Sequence, residues 1–245
     1  MKFLVCISHV PDTTTKINFT DGKILNSNGV TFIINPYDEI GLTRALELKE
    51  ANAGSTVTVI NVGPVATEPT LRKALAIGAD DAIRINAEPT DAYFVAAQLA
   101  EVAKKNQYDV ILTGRESIDY NGGQVAPMLG ELLNIPSICV ATKLDIAGTE
   151  ATIEREIDGG KEIATAKLPI VISAQKGMSN PRIPNMMGIS KARTKPLVVV
   201  EPISETAITT SIAFELPAAK QACKMIPAEN AGELINLLHT EAKVI

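Results

Sequence analysis

The polar stretch Arg115–Gln124 combines residue types and spacing that could hold a phosphate or a nucleotide. It follows a short run of branched apolar residues, Val110–Leu112, that ends at Gly114. Such a run is typical of a buried parallel strand. The pair Gly122-Gly123 precedes a helical pattern, and backbone N–H groups at the start of a helix attract anions. Glycines after a strand are also common turn residues, so this pattern alone leaves both interpretations open.

Two familiar phosphate-binding motifs are missing from the sequence. There is no GxxxxGKS or GxxxxGKT, so the chain lacks a P-loop lysine for a transferable phosphate. The glycine spacing also differs from GxGxxG, which argues against an ordinary dinucleotide turn. No motif indicates an activated nucleophile, a paired acid and base, or a metal cluster. The sequence therefore predicts nucleotide binding without cleavage.

The composition narrows the class of protein. Of the 245 residues 46% are hydrophobic but only 4% are aromatic, and the net charge is -5. An aliphatic interior is expected for a parallel sheet covered on both faces by helices, and the acidic balance argues against nucleic-acid binding. The three cysteines lack CxxC spacing and fit buried thiols in a reducing compartment. With no signal-peptide pattern and no membrane-spanning run, we expect a cytoplasmic protein without direct membrane insertion.

Alternating strand and helix patterns predict a doubly wound, mainly parallel α/β sheet over the first 135 residues. Asn35 suits a helix N-cap and Pro36 the first helical position, although both are equally typical of a plain helix start. Hairpin turns at Gly148-Thr149 and Asp158-Gly159-Gly160 separate extended runs, which predicts an added antiparallel portion. That portion is predicted to include four runs: Ser137–Ile146, Glu150–Ile157, Lys161–Leu168 and Ile170–Ala174.

The last third of the chain is predicted to contain a loop and an arm. We expect one α/β nucleotide-binding domain over residues 1–203, with an irregular loop at 175–195, and an extended C-terminal arm over 204–245. No Asp or Glu occurs from Ile163 to Val200, so this basic segment suits an acidic partner or is an ordinary solvated loop. The arm carries one apolar stripe, which favours packing on a partner subunit. The stripe consists of Leu234, Ile235, Leu237 and Leu238.

Five segments resemble the beta (small) subunit of electron-transfer flavoproteins and occur in the family's order. The most specific is IEREIDGGKEIATAKLP at Ile153–Pro169. The other four are Val10-Pro11-Asp12, Asn35–Ile40, Leu71–Asp80 and Gly114–Asp119. The match spans roughly residues 2 to 200. It implies an adenine-nucleotide-binding α/β fold and pairing with a larger alpha subunit, which holds most of the redox-active FAD.

The resemblance further implies that the chain buries one AMP with a structural role. Carried over by motif, the AMP contacts would be Cys6, Asn35, Pro36, Tyr37, Asp38, Val62, Ser117, Asp119, Asn121, Gly122, Gly123, Gln124, Val125 and Pro127. Relatives often carry Thr where this chain has Gly122, so backbone N–H groups must replace that side-chain donor. They often carry an aromatic residue, facing the flavin, where this chain has Thr13. Direct contact with FAD is therefore left open.

A docking role for the loop at 175–195 is also implied by the resemblance. In the family the corresponding loop reaches partner dehydrogenases through an exposed apolar anchor, and ungapped alignment places Met186 there. Flexible thioethers at Met186 and Met187 suit several partners. Arg182, Lys191 and Arg193 could steer an acidic partner. In the alternative interpretation the two methionines fill the domain's own surface.

The implied function is that of a non-catalytic subunit in a heterodimeric electron carrier. It would connect acyl-CoA-type flavin dehydrogenases of fatty acid oxidation with a quinone oxidoreductase. In one alternative, a bifurcating flavoprotein, a second FAD replaces AMP and NADH is the donor. An alternative of another class is a stand-alone, universal-stress-type nucleotide-binding protein, which would not need the hairpins or the apolar arm. An ATP pyrophosphatase is disfavoured because its SGGxDS loop is missing after the first strand.

Overall fold

A nine-stranded sheet is the framework of the chain. The computed structural model describes residues 1–22, 24–220 and 222–245. The strands are β1 (Lys2–Cys6), β2 (His9–Pro11), β3 (Phe19–Thr20), β4 (Ile24–Leu25), β5 (Phe32–Ile34), β6 (Thr56–Val62), β7 (Asp81–Ile85), β8 (Val110–Gly114), β9 (Ser137–Ala147), β10 (Glu150–Ile157), β11 (Gly160–Lys167), β12 (Ile170–Ala174) and β13 (Leu197–Val200). The helices are α1 (Pro36–Ala51), α2 (Glu68–Ile77), α3 (Ala92–Asn106), α4 (Val125–Leu133), α5 (Met186–Ala192) and α6 (Ala231–Leu237).

The sheet has the order β11-β10-β9-β12-β8-β1-β6-β7-β13. From β12 to β13 every neighbouring pair is parallel. Alternate residues of β1 enter two separate clusters of buried side chains: Phe3 and Val5 join one, and Leu4 joins the other. Side chains of a strand point alternately to the two faces of a sheet. The core therefore lies on both faces, which confirms the predicted doubly wound, mainly parallel class.

The antiparallel portion is smaller than the sequence predicts. Strands β9, β10 and β11 pair antiparallel through the two predicted hairpin turns. Strand β12 instead pairs parallel with β8 and with the first part of β9, so its assignment to the antiparallel portion was wrong. All five residues of β12 are buried. Continuous burial is the pattern of a strand covered on both faces, and it sets β12 apart from the alternating hairpin strands.

The segment at 175–195 is more regular than predicted, because Met186–Ala192 forms helix α5. The Asn185 side chain caps it by accepting a hydrogen bond from the Gly188 N–H at 2.8 Å. Helix α2 holds α5 in place through Arg72, whose guanidinium donates to the carbonyl oxygens of Ala192 and Lys195 at 2.9 and 2.7 Å. The loop therefore ends in a short helix that is fixed to the domain.

The C-terminal arm begins along the surface of the domain. The Ile203 N–H donates to the Gln98 side chain and the Ile203 carbonyl accepts from it, at 2.8 and 3.0 Å. Farther on, α6 carries Leu234 and Ile235 exposed to solvent. The division of the chain at residue 203 stays a prediction. In the described ranges, no helix is both long enough and apolar enough to cross a membrane.

Candidate nucleotide-binding site

A cavity of about 510 Å³ lies at the carboxyl ends of β1, β6 and β8. Cys6, Ile60 and Val62 supply an apolar part of its lining, and Val95 and Leu99 of α3 add to it. The loop after β8 and the start of α4 form a polar wall. Open α/β sheets bind ligands beyond the carboxyl ends of their strands, and cavities of this size accommodate small ligands. The cavity is therefore the candidate site.

Most of the residues predicted to contact AMP line this cavity. They are Cys6, Asp38, Val62, Ser117, Asp119, Asn121, Gly122, Gly123, Gln124 and Val125. Asn35, Pro36, Tyr37 and Pro127 lie outside the lining. Polar lining residues outside the predicted set include Ser8, His9, Asp91, Thr209 and Ser211. Ser8 and His9 belong to the exit loop of β1, the position at which a sheet of this kind is expected to contact a ligand.

Asn35 supports the polar loop from behind. Pro36 is the first residue of α1 as predicted, but the Asn35 side chain makes no capping hydrogen bond to the helix. Its amide group is buried and donates to the Glu116 carbonyl oxygen at 2.8 Å. The Arg115 guanidinium lies over the Tyr37 ring at 5.5 Å. Asn35 and Tyr37 thus contact the loop that lines the cavity, and they would influence a ligand through it.

The buried carboxylate of Asp38 joins three elements at the base of the cavity. One oxygen accepts from the Ser8 N–H after β1 and the other from the Gly114 N–H at the end of β8, both at 2.7 Å. A Cβ on Gly114 would overlap this carboxylate and lie 2.7 Å from the Tyr37 Cβ. Only glycine fits there without movement. Burial raises the pKa of Asp38 to about 7, while the Ser8 and Gly114 donors act in the opposite direction.

The start of α4 can hold an anion through its backbone. Gln124 is the N-cap residue but its side chain makes no capping bond, and the first N–H groups of a helix have no acceptor within the helix. Gly123, Gln124 and Val125 all line the cavity. The Ser117 N–H donates to the Gly122 carbonyl oxygen at 3.1 Å and closes the loop. Free donors and the positive end of the helix therefore face the same space.

The carboxylates that line the cavity outnumber the cations beside it. Four carboxylates line it, and no Lys or Arg is among its lining residues in the described part of the chain. The four are Asp38, Asp91, Glu116 and Asp119. Burial raises the pKa of Asp119, which accepts hydrogen bonds from the Ser117 hydroxyl and the Tyr120 N–H. An anion here would depend on backbone donors, and each further negative charge on the ligand would be less well compensated.

Burial favours the neutral forms of Cys6 and His9, two of the titratable side chains that line the cavity. Burial, and to a lesser extent the charge of Asp38, raises the pKa of the Cys6 thiol above its usual range, so the thiolate is not populated. Burial lowers the pKa of His9. Its ring stacks on Phe32 at 4.4 Å, and its Nδ1 lies 2.7 Å from the Thr70 hydroxyl. In the described residues, no group of three or more His, Cys, Asp or Glu is arranged to hold a metal ion.

The predicted docking residues lie on and beside α5, away from the cavity. Met186 is 82% exposed and Met187 is 65% exposed, so they do not fill the domain's own surface. Ile183 is 92% exposed and was missed, although its place between Pro181 and Pro184 is a signal for a displayed side chain. Arg182 forms a bidentate ion pair with Glu50, with N–O distances of 2.6 and 2.8 Å. Its charge is therefore compensated locally. The other two predicted steering residues, Lys191 and Arg193, have exposed side chains.

The doubly wound sheet and the uncapped helix at its cavity define an α/β domain with a candidate anion site at the carboxyl ends of its strands. The family described as "Electron transfer flavoprotein domain" matches residues 23–205. The chain is 42% identical to "Electron transfer flavoprotein subunit beta" of Bacillus subtilis over the whole of both chains. Identity to the human protein of the same name is 33%, with 82% of each chain covered. Identity to the Bradyrhizobium diazoefficiens protein of the same name is 31%, with both chains covered in full. The chain therefore belongs to the electron transfer flavoprotein family as a beta subunit, as the sequence motifs indicated.

Proposed function

We propose that this chain is the nucleotide-binding, non-catalytic subunit of a heterodimeric electron carrier. Its relatives are named as beta subunits, and a beta subunit implies an alpha partner, which we expect to hold most of the FAD. In this proposal electrons pass from acyl-CoA-type flavin dehydrogenases through the heterodimer towards a quinone oxidoreductase. The beta subunit contributes a bound AMP and a docking surface for the dehydrogenase.

The observation that carries the AMP assignment is the uncapped start of α4 in a cavity lined by acidic but not basic side chains. The backbone donors of Gly123, Gln124 and Val125 suit a single phosphate group. A triphosphate would bring more charge beside carboxylates, with no Lys or Arg of the lining to balance it. The apolar lining from Cys6 and Ile60 suits the flat face of an adenine.

The nucleotide can be identified directly. We expect acid denaturation of the purified heterodimer to release one AMP and one FAD for each beta chain, as measured by chromatography against standards. Two FAD per heterodimer with no AMP would instead identify the bifurcating type of flavoprotein. Purification of the chain as a flavin-free homodimer would favour the stand-alone nucleotide-binding protein.

For dehydrogenase docking we propose the patch formed by Ile183, Met186 and Met187. All three side chains project into solvent, yet the helix beneath them is fixed by Arg72 and by the Asn185 cap. A rigid backbone lowers the entropy cost of binding, and thioethers adapt to different apolar partners. This combination suits a surface that must accept several dehydrogenases.

The end of the arm is proposed to pack on the alpha subunit. Leu234 and Ile235 on α6 are exposed in the isolated chain, and an amphipathic helix gains stability by burying its apolar stripe. Removal of residues 222–245 should leave the domain folded and lower the yield of heterodimer in co-expression. An unchanged yield would assign the arm no part in pairing.

A further inference from the structure

A segment of the C-terminal arm returns to the nucleotide cavity. Thr209 and Ser211 contribute to the cavity lining, although the other lining residues end at Ala126 in the sequence. We refer to residues 208–214 as the strap. Two anchors hold the strap on the domain, one at each end.

The first anchor is Asp91, and its two carboxylate oxygens have separate roles. Oδ1 accepts from the Phe94 N–H at 2.8 Å and so caps helix α3. Oδ2 accepts from the N–H groups of Ile208 and Thr209, both at 2.8 Å, and from the Thr209 hydroxyl at 3.1 Å. Three donors of the strap therefore converge on one carboxylate oxygen of a residue that lines the cavity.

The second anchor is Phe214. Its ring stacks on Phe19 with centroids 4.9 Å apart and planes 9° apart. It also meets Tyr120, a lining residue of the cavity, at 6.4 Å and 59°. The Phe214 N–H donates to the Gly22 carbonyl oxygen at 2.7 Å. The strap is thus held by an aromatic cluster at one end and a carboxylate at the other.

We propose that the strap is part of the nucleotide site, that it closes one side of the cavity, and that Asp91 is the positioning residue that keeps it closed. The inference rests on the proposed function for the identity of the ligand, a nucleoside monophosphate. A ligand behind the strap leaves when the strap opens, so loosening an anchor speeds release. Because the ligand binds the closed form, it also favours the closed strap.

Asp91→Asn separates the two roles of the carboxylate. Asn caps a helix as well as Asp does, so its oxygen can keep the Phe94 bond and the cap of α3. The amide nitrogen then replaces Oδ2 and cannot accept from Ile208 or Thr209. Loss of hydrogen bonds to a charged group should speed AMP dissociation from the full chain by about tenfold or more. Glu116→Gln, which removes the charge of another carboxylate that lines the cavity, is the control for the change of charge beside the ligand.

A second readout needs no nucleotide. Cys6 lines the cavity and is kept un-ionised by burial, so it should react with a small thiol reagent only from an open form that admits water. Exposed Cys223 is the internal standard. Phe214→Ala releases the second anchor without a change of charge. In both anchor variants we expect faster labelling of Cys6 and faster AMP release, with a melting temperature near that of the unmodified chain.

The outcomes distinguish this inference from the proposed function. AMP release and Cys6 labelling at unchanged rates in both variants would overturn the role of the strap. If the unmodified chain binds no AMP, the proposed function fails, and Cys6 labelling alone decides whether the strap closes the cavity.

Discussion

The proposed nucleotide cavity and the proposed docking patch differ in the kind of groups that they present. The cavity arranges backbone N–H groups around an uncapped helix, and its geometry depends on buried polar side chains such as Asn35 and Asp38. The patch displays apolar side chains on a short helix that is fixed from below by Arg72. Under the proposed functions, a site for one ligand and a surface for several partners would each need a fixed backbone. In the cavity, Asn35 and Asp38 fix the backbone of the polar loop and of the strand ends. In the patch, Arg72 fixes the backbone at the end of α5.

The largest expected effect concerns the charge of Asp38. Its pKa in the folded chain, about 7, is raised above the unfolded value near 3.8. Between these two values the folded state holds a proton that the unfolded state has lost. The free energy of unfolding should therefore fall as the pH rises from about 4 to 7, by about 4 kcal/mol in total from this group.

Urea unfolding of the unmodified chain and of Asp38→Asn across this pH range isolates the contribution of Asp38. The stability of the unmodified chain relative to the variant should decline with rising pH and level off above pH 7. A difference independent of pH would show that Asp38 is ionised throughout, and the cavity would then carry a permanent buried charge.

Next in size is the effect of Gly114→Ala. The added Cβ would overlap the Asp38 carboxylate. The hydrogen bonds by which Asp38 connects β1, β8 and α1 must then lengthen or break. We expect a loss of about 3 kcal/mol in the free energy of unfolding. The matched control is Gly122→Ala, because a Cβ there meets nothing within 4 Å and should cost less than about 0.5 kcal/mol. Equal stabilities for the two variants would contradict the proposed close contact between the backbone at Gly114 and the Asp38 carboxylate.

Gly123→Pro tests the backbone donors of the cavity directly. Proline removes one N–H, and a hydrogen bond to a charged group contributes about 1.5–3 kcal/mol, so AMP affinity measured by calorimetry should fall about tenfold or more. Gly123→Ala is the control, since it keeps the N–H while placing a Cβ 3.0 Å from the Arg115 carbonyl oxygen. If both variants lose the same affinity, crowding explains the effect and the donor assignment is wrong.

Met186→Ala tests the patch and should leave the cavity unaffected. We expect electron transfer from a partner dehydrogenase to slow by about tenfold, in the range of a truncated interface anchor. FAD content, AMP content and melting temperature should stay near their original values. Met178→Ala, at a buried position, should instead lower the melting temperature. A stability loss in Met186→Ala as large as that in Met178→Ala would assign Met186 to the core.

The sequence was most informative where local patterns decide the structure. The glycine-containing turns at 148–149 and 158–160 predicted the two hairpins, and Gly78 ends α2 as expected for a helix C-cap. The sequence also placed Asn35 and Asp38 at a helix start. Their partners lie 81 and 76 residues away at Glu116 and Gly114, and no local pattern encodes such contacts.

Two other features depend on tertiary packing in the same way. The strap reaches the cavity through Asp91, which is 118 residues from Thr209, and the sequence marks Asp91 only as a helix cap. Strand β12 follows two hairpin strands, so its neighbours in the sequence favoured an antiparallel assignment. It lies beside β8 because all five of its residues pair in parallel with that strand.

The central claim is that the cavity holds a single phosphate by backbone donors among carboxylates. Calorimetric titration of the nucleotide-free chain with AMP, ADP and ATP tests it most directly. We expect AMP to bind most tightly and the affinity to fall with each added phosphate. ATP binding as tight as AMP binding would contradict it, because the described lining offers no Lys or Arg to compensate the extra charge.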